Sequence, residues 1–361
     1  MKLQDKNLYY IGGIVRDEIL GKESFDTDLT YVGDAIEFAK SIENAEIIRI
    51  NEPFGTVKIM LEGEEIDIAS TRKEIYPQKG RLPEIEEIGC SLKDDVLRRD
   101  FTINAMAKST LTGEITDYTS GLQDIKTKTL RVLHKDSFID DPTRIVRGLK
   151  FSVRFGFELS PETLALQKEY LDNINYDMSY KRLQKELKET FSLNSQEAFE
   201  KFVEQKIYKL VTPKDFDLPK INFEKLINRY KPKCPWIIYA GQIPDIEILP
   251  LTKAEKKIVE DFKSIIGKSF STDAEIYENF KDLYLESIIM FASIDEKAVL
   301  HYLNKLRYIK TSLTGADLQT LGIKPSKKYQ ECFKYVVLKI FQNPQADKSQ
   351  QITWAKEFFE G

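Results

Sequence analysis

Histidine is nearly absent from this 361-residue sequence, with only His134 and His301, far apart along the chain. A histidine-rich metal site and most Ser-His-Asp chemistries are disfavoured by that scarcity. Cysteine is almost as rare. The three thiols, Cys90, Cys234 and Cys332, never fall as C-x-x-C. Neither a disulfide framework nor a zinc ribbon is indicated, and a reducing cytoplasmic compartment fits best. No apolar stretch approaches the roughly 20 residues of a membrane span, and Met1-Lys2-Leu3-Gln4-Asp5 carries no signal-peptide core. Positive charge is not in excess either. Lys and Arg total 54 against 58 Asp and Glu, a net charge of -4, which argues against nucleic-acid binding by bulk charge but not against a local basic groove.

What the chain has is an ordinary globular composition: 42% hydrophobic, 31% charged and 11% aromatic residues, with 17 Gly and 13 Pro. Its length exceeds the roughly 250–300 residues at which single cores stop growing, so several domains are expected. The first 130 residues mix short apolar runs with turns, and the sequence after about Asp140 reads as successive helices. The expected fold class is α+β: a β-sheet head with helices, then an all-helical remainder.

Leu8-Tyr9-Tyr10-Ile11 reads as a strand stopped by Gly12-Gly13, and 14–20 then has helical spacing closed by Gly21. The segment 25–30 alternates like a strand. Segments 55–61 and 65–69 form a hairpin pair around Glu62-Gly63-Glu64. Residues 71–89, with Pro77, Gly80 and Pro83, lack periodicity and read as a long loop. Residues 98–107 read as a helix. Ile145, Val146, Leu149 and Val153 predict a helix over 143–155, and Ser160-Pro161 opens another. Further helices are expected at 180–191, 195–204, 222–230, 253–266, 274–280, 283–291, 295–306 and 330–341, with breaks near 212–219 and 230–250.

Several constellations can carry chemistry. Asp26 and Asp28 lie two apart in a predicted strand, so both side chains leave one face. Carboxylates held that close suit a hard divalent cation, although an isolated D-x-D more often marks a solvated strand end. Asp67 stands in the apolar alternation Ile66-Asp67-Ile68, and three carboxylates on neighbouring strands can hold two Mg2+ ions. Ahead of them, Gly12-Gly13-Ile14-Val15-Arg16-Asp17 is a two-glycine turn into a helix, able to bring backbone N–H groups to a phosphate, with Arg16 one turn in. Its spacing fits neither the dinucleotide fingerprint nor the P-loop. Asp100 and Asn104 share a face beside Arg98 and Arg99, as they also would on a merely capped helix. In Asp140-Asp141-Pro142-Thr143-Arg144-Ile145-Val146-Arg147-Gly148-Leu149-Lys150, Asp141 can be a helix cap, while Arg144, Arg147 and Lys150 recur every three residues as a basic ladder. An aspartate and an arginine together can match the Watson–Crick edge of a base.

Taken in order, these segments resemble the class II tRNA nucleotidyltransferases, the CCA-adding enzymes of the superfamily that also holds bacterial poly(A) polymerase. The likeness rests on Gly12 to Asp17 with Asp26-Thr27-Asp28, on Arg98-Arg99-Asp100-Phe101-Thr102-Ile103-Asn104, on 117–121 with 124–131, and on Asp141-Pro142-Thr143-Arg144. A weaker echo of the family's tail lies in Thr314-Gly315-Ala316-Asp317-Leu318 and Leu321-Gly322-Ile323-Lys324-Pro325. Two positions depart from the pattern: Asp140 stands where Glu is usual, and Lys150 where a third arginine is usual, keeping charge without the planar fork.

The resemblance implies a catalytic head at 1–139, a helical neck with base recognition at 140–215, a helical body at 216–300 and a helical tail that meets tRNA at 301–361. From His301 onward Lys and Arg exceed Asp and Glu by five. It implies template-independent addition of C, C and A to tRNA 3′ ends from CTP and ATP, with a two-metal Mg2+ site and release of pyrophosphate. Asp26, Asp28 and Asp67 would hold the metal and be catalytic. Gly13 and Arg16 would touch the triphosphate, and Arg99, Asp100 and Asn104 the sugar and phosphates. Asp141 and Arg144 would pair with the incoming base, with Arg147 in support and Lys150 beside it. A-only addition to a CC end remains open, whereas the loop at 71–89, with Arg72, Tyr76 and Arg81, disfavours a CC-only enzyme. Phe54-Gly55-Thr56-Val57 in place of a Gly-Arg-Arg run disfavours poly(A) polymerase. A catalytically silent RNA-binding protein on the same fold is the alternative outside enzymes.

Overall fold

The computed structural model describes residues 3–24, 27–193 and 196–360. It divides into two compact units, Met1–Leu218 with Ile243–Pro250, and Pro219–Gln242 with Leu251–Gly361. The expected α+β class holds: a mixed sheet comes first and helices follow. Among the described residues no helix is long and apolar enough to cross a membrane.

The first unit begins with β1 (Leu8–Ile11), α1 (Gly13–Ile19), β2 (Asp28–Tyr31), α2 (Ala35–Lys40), β3 (Glu46–Asn51), β4 (Thr56–Leu61) and β5 (Glu64–Ser70). Two further strands, β6 (Arg72–Ile75) and β7 (Glu84–Ile88), form a separate hairpin before α3 (Leu92–Leu97), β8 (Met106–Ser109), β9 (Ile115–Asp117) and α4 (Gly121–Lys126). The main sheet has the order β3-β4-β5-β2-β1-β8-β9, with β2 and β5 parallel and their neighbours antiparallel. Glu62 and Gly63, both at positive φ, make the tight β4–β5 turn that matches strand twist. One sheet face buries Leu29, Val57, Ile59, Ile66 and Ile68 under Ala35 and Ala39 of α2. Strand alternation sends Asp28, Lys58 and Asp67 to the opposite face.

After the sheet come α5 (Ser137–Asp140), α6 (Thr143–Phe155), α7 (Pro161–Asp172), α8 (Tyr180–Ser192) and α9 (Gln196–Glu204). Ile145, Val146 and Leu149 bury the inner face of α6, which packs on α8 and α9. Gly156 closes α6 at φ +68°, and Ser160 caps α7 by accepting from Thr163 N–H, with Pro161 at the first position.

The second unit is helical: α10 (Phe223–Tyr230), α11 (Pro235–Ala240), α12 (Lys253–Ile265), α13 (Asp273–Phe280), α14 (Leu285–Asn304), α15 (Gly315–Thr320), α16 (Lys328–Gln342) and α17 (Lys348–Glu360). Reciprocal capping boxes start α12 (Thr252, Glu255), α13 (Thr272, Glu275) and α15 (Thr314, Asp317).

The structure corrects four sequence expectations. Residues 98–107 are not a helix: Phe101 bridges to Val132, a single 3-10 turn spans Thr102–Asn104, and β8 follows. The supposed loop 71–89 is the β6–β7 hairpin with a tip at 76–83. The helices expected at 283–291 and 295–306 run together as α14, broken only at Asp295, where φ is -142° and ψ 86°. The break expected across 230–250 contains α11, started by Pro235.

Candidate active site

Asp28 and Asp67 are register partners on the parallel strands β2 and β5, so their carboxylates leave the same face side by side. Lys58, opposite Asp67 on β4, donates to Asp67 Oδ2 at 2.9 Å and to Glu65 Oε2 at 3.1 Å. Asp26, the other predicted acid, lies outside the described residues. Hard carboxylate oxygens paired on one face, one of them already beside an ammonium group, are donors suited to a hard divalent cation. Among the described residues no group of three His, Cys, Asp or Glu side chains forms a metal cluster.

The Gly12-Gly13 turn stands at the head of α1. Gly12 is at φ +74°, and a Cβ there would lie 3.1 Å from Arg99 Nη1, so backbone freedom and the closeness of Arg99 both call for glycine. Arg16, nearly fully buried, donates to Asp17 Oδ1 from Nε at 2.8 Å and to Asn104 Oδ1 from Nη1 at 2.6 Å. Burial pulls its pKa below the ordinary arginine value despite Asp17.

From Asn104 a continuous polar chain runs to α8. Asn104 Nδ2 donates to Asp100 Oδ1 at 3.1 Å, and Arg147 donates to Asp100 Oδ2 at 2.8 Å from Nε and 2.7 Å from Nη2. Arg147 Nη1 donates to Glu186 Oε1 at 3.1 Å, while Lys150 Nζ donates at 2.7 Å to both Glu186 Oε2 and Glu189 Oε2. Burial alone would raise the Asp100 pKa, but the charge of Arg147 and the hydrogen bonds from Asn104 and Arg147 hold it at about 2. Burial works against charge on Arg147 too, but Asp100 and Glu186 raise its pKa above the ordinary value.

Asp95, fully buried, anchors the neighbouring arginines, accepting on Oδ1 from Arg98 and on Oδ2 from Arg99 at 3.1 Å. Arg98 also reaches Glu74 of the hairpin at 2.9 Å. The burial penalty on Asp95 is outweighed by those two arginines, and its pKa falls.

Asp141 is buried just ahead of α6. Its Oδ1 accepts from Thr143 N–H at 3.1 Å and Thr143 Oγ1 at 2.6 Å, and its Oδ2 accepts from Arg182 Nη2 of α8. Arg144 points the other way. Its Nη1 donates to Ser137 Oγ at 2.8 Å, with His134 Nε2 at 3.5 Å, and its Nη2 donates to Arg98 O at 2.9 Å, with Tyr76 Oη at 3.4 Å. Burial and the Arg144 charge push the His134 pKa down.

A cavity of about 580 Å³ opens over these groups. Of the predicted residues it gathers Gly13, Arg16 and Asp28 from the sheet side, with Arg99, Asp100 and Asn104 beside them. From α6 and its start come Asp141, Arg144, Arg147 and Lys150. Asp67 adjoins through Asp28. The lining carries nine Arg or Lys against five Asp or Glu, so this acidic protein presents a local surplus of positive charge where a polyanion fits.

Among the lining residues that escaped the sequence reading are Arg182 and Glu186 of α8. Glu186 follows the buried Leu183 by three and precedes the buried Leu187 by one, a carboxylate on the apolar stripe of α8. The same signal that singled out Asp67 was there to find it.

Paired acids on a mixed sheet, next to an arginine-lined cavity that the basic ladder of α6 also lines, offer oxygen donors for a cation and positive charge for a polyanion. Residues 8–131 match the family described as Poly A polymerase head domain. The A-adding tRNA nucleotidyltransferase of Halalkalibacterium halodurans is 30% identical, over 98% of this chain and 89% of that protein. The A-adding tRNA nucleotidyltransferase of Aquifex aeolicus is 44% identical over 45% of this chain, but this chain spans only 20% of that protein. A solved structure, described as CCA-adding enzyme apo form II, shares the fold with a TM-score of 0.78 at 24% identity, covering 97% of this chain and 91% of that one. The chain belongs to the tRNA nucleotidyltransferase family, whose members generally use divalent metal ions.

Proposed function

We propose that this protein transfers nucleotides from nucleoside triphosphates to the 3′ end of tRNA and releases pyrophosphate, with terminal A from ATP among its products. The observation that carries the reading is the cavity that joins the Asp28–Asp67 face, the Gly12-Gly13 turn and the Asp141 end of α6 in one unit. Complete CCA addition from CTP and ATP and A-only addition to a CC end share that last step. The names of the two relatives above favour the A-only form.

In this reading Asp28 and Asp67, with Asp26, hold Mg2+ as a two-metal site and are the catalytic acids. Magnesium bound there supplies activation of the tRNA 3′-hydroxyl and neutralises charge on the departing pyrophosphate. The triphosphate lies along the Gly12-Gly13 turn, with Gly13 giving backbone approach. Arg16 and Arg99 supply positive charge at that turn. Asp100 and Asn104 meet the sugar, their side chains oriented by Arg147 and Arg16. Asp141 and Arg144 face the incoming base, and Arg147 and Lys150 stiffen α6 through Glu186. The basic tail at 301–361 supplies tRNA contact. In-line transfer of this kind is mostly positioning and charge stabilisation, and needs no imidazole.

The test is incubation with Mg2+, CTP, ATP and tRNA transcripts ending before CCA, after the first C, and after CC. Label in all three selects CCA addition, and A on the CC-ended transcript alone selects the A-only reading. Long A tails on unstructured RNA without use of CTP would select poly(A) polymerase. No incorporation on any transcript overturns the proposal.

A further inference from the structure

Asp141 has both carboxylate oxygens engaged by protein donors. Thr143 takes Oδ1 through its N–H and its hydroxyl, and Arg182 takes Oδ2. Arg144 is equally committed, since each terminal nitrogen of its guanidinium has two partners: Ser137 and His134 on one side, Arg98 O and Tyr76 on the other. Arg144, as it stands, turns no uncommitted terminal nitrogen toward a base, whereas Asp141 Oδ2, with one protein donor, keeps a lone pair to accept with. Arg182 does hold such a nitrogen. Its Nη1 is buried and has no hydrogen-bond partner, although the same guanidinium grips Asp141 through Nη2. A buried donor left unsatisfied carries a desolvation penalty, which an incoming acceptor removes.

We infer that Arg182 is the third base-reading residue of the site. It fixes Asp141 for reading, and through Nη1 it offers the donor that a ring nitrogen or carbonyl of the base accepts. The inference rests on the proposed nucleotide site and deepens it. Asp141 and Arg182 together present an acceptor and a donor side by side in the cavity, the complement of an amino group next to a ring nitrogen. Adenine and cytosine both carry that pattern, and uracil does not, having a carbonyl and a ring N–H in those places. Side-chain planarity matters here. A lysine at 182 keeps the charge on Asp141 but cannot grip the carboxylate and present a second fixed donor together.

Equilibrium binding separates the base from the phosphates. Wild type, Arg182→Lys and Arg182→Met are titrated with a non-hydrolysable ATP analogue, the matching UTP analogue and inorganic tripolyphosphate, each with Mg2+, and folding of each variant is checked by thermal melting. The expected result for Arg182→Lys is about tenfold weaker ATP-analogue binding and loss of preference over the UTP analogue, with tripolyphosphate affinity unchanged. If Arg182→Met melts out, Arg182→Lys alone decides. Parallel weakening of all three ligands, or unchanged preference in a folded Arg182→Lys protein, overturns the inference. These binding readouts need no tRNA, so failure of wild-type protein to extend tRNA would sink the proposed reaction without touching this result.

Discussion

Arg147 of α6 grips Asp100 with two guanidinium nitrogens, at 2.8 and 2.7 Å, and carries Glu186 on its third. Two segments 47 residues apart in sequence are thereby fastened at the floor of the cavity. The fastening also fixes how stability responds to acid.

Asp100 has a folded-state pKa of about 2, below the ordinary 3.8, so its contribution is fully present above the ordinary value and is lost as pH falls through the folded one. The contribution amounts to about 2 kcal/mol. Asp100→Asn leaves Arg147 without its buried partner and lowers stability by about 3–5 kcal/mol at neutral pH. The gap between wild type and variant should then narrow by about 2 kcal/mol as pH falls from about 5 to about 2. Denaturant melts across that range test it, and a constant gap would show that Asp100 does not carry the acid response.

The paired acids make the second prediction. Asp67→Asn should lower nucleotide incorporation by about a thousandfold, the several kcal/mol that metal-ion charge stabilisation supplies. Lys58 would lose one of its two charged partners on β5 and keep the other, Glu65, so the fold should persist. The informative readout is Mn2+ binding followed by its magnetic resonance signal. Unchanged Mn2+ affinity together with unchanged turnover would remove Asp67 from the metal site.

The hairpin tip yields a third. Lys79 Nζ donates to Asp140 Oδ1 at 2.5 Å, Gln78 Nε2 donates to Asp177 Oδ2 at 2.9 Å, and Arg81 also pairs with Asp177. The tip is thus tied next to Asp141. Replacing 77–82 with a short glycine link, while keeping β6 and β7, should impair A addition to a CC-ended tRNA by about tenfold or more, and spare any C addition. Equal loss of both, or no loss, would count against a role for the tip in the A step.

How much was legible in the sequence follows from where each signal originates. Helix α6 was readable to the residue because Ile145, Val146 and Leu149 keep a helical period and Gly156 ends it. The hairpin of β4 and β5 was readable from its turn. Residues 98–107 misled because the spacing of Asp100 and Asn104 satisfies a helix face and a 3-10 turn alike, and the decision lay in distant pairing: Phe101 with Val132, and β8 with β1. The β6–β7 hairpin hid because its strands are largely exposed and joined by their backbone ladder and a cross-strand ion pair, Lys73 to Glu86 at 2.8 Å, with no apolar alternation to see. In the site, acids and arginines stood out individually. Of their partners on α8, Glu186 carried a signal in its place on the apolar stripe but Arg182 carried none, and both join the cavity only once α8 packs on α6.

Glu186 gives the last prediction. It accepts from Arg147 on one oxygen and Lys150 on the other, and it is buried. Glu186→Gln keeps the shape but removes the charge both cations face. Lys150 retains Glu189 and Arg147 retains Asp100, so the loss should stay near 1–3 kcal/mol, the worth of charged hydrogen bonds in a buried setting. For a unit of this size that is roughly 2–4 °C in Tm per kcal/mol. Glu186→Leu alone should be worse, since two cations then face an apolar group. Adding Lys150→Met should recover part of that loss, because removing both members of a buried pair is milder than removing one. Thermal melts of the single and double variants form the cycle. A double variant no more stable than Glu186→Leu would mean that Lys150 draws its stabilisation from Glu189 and that Glu186 acts on Arg147 alone.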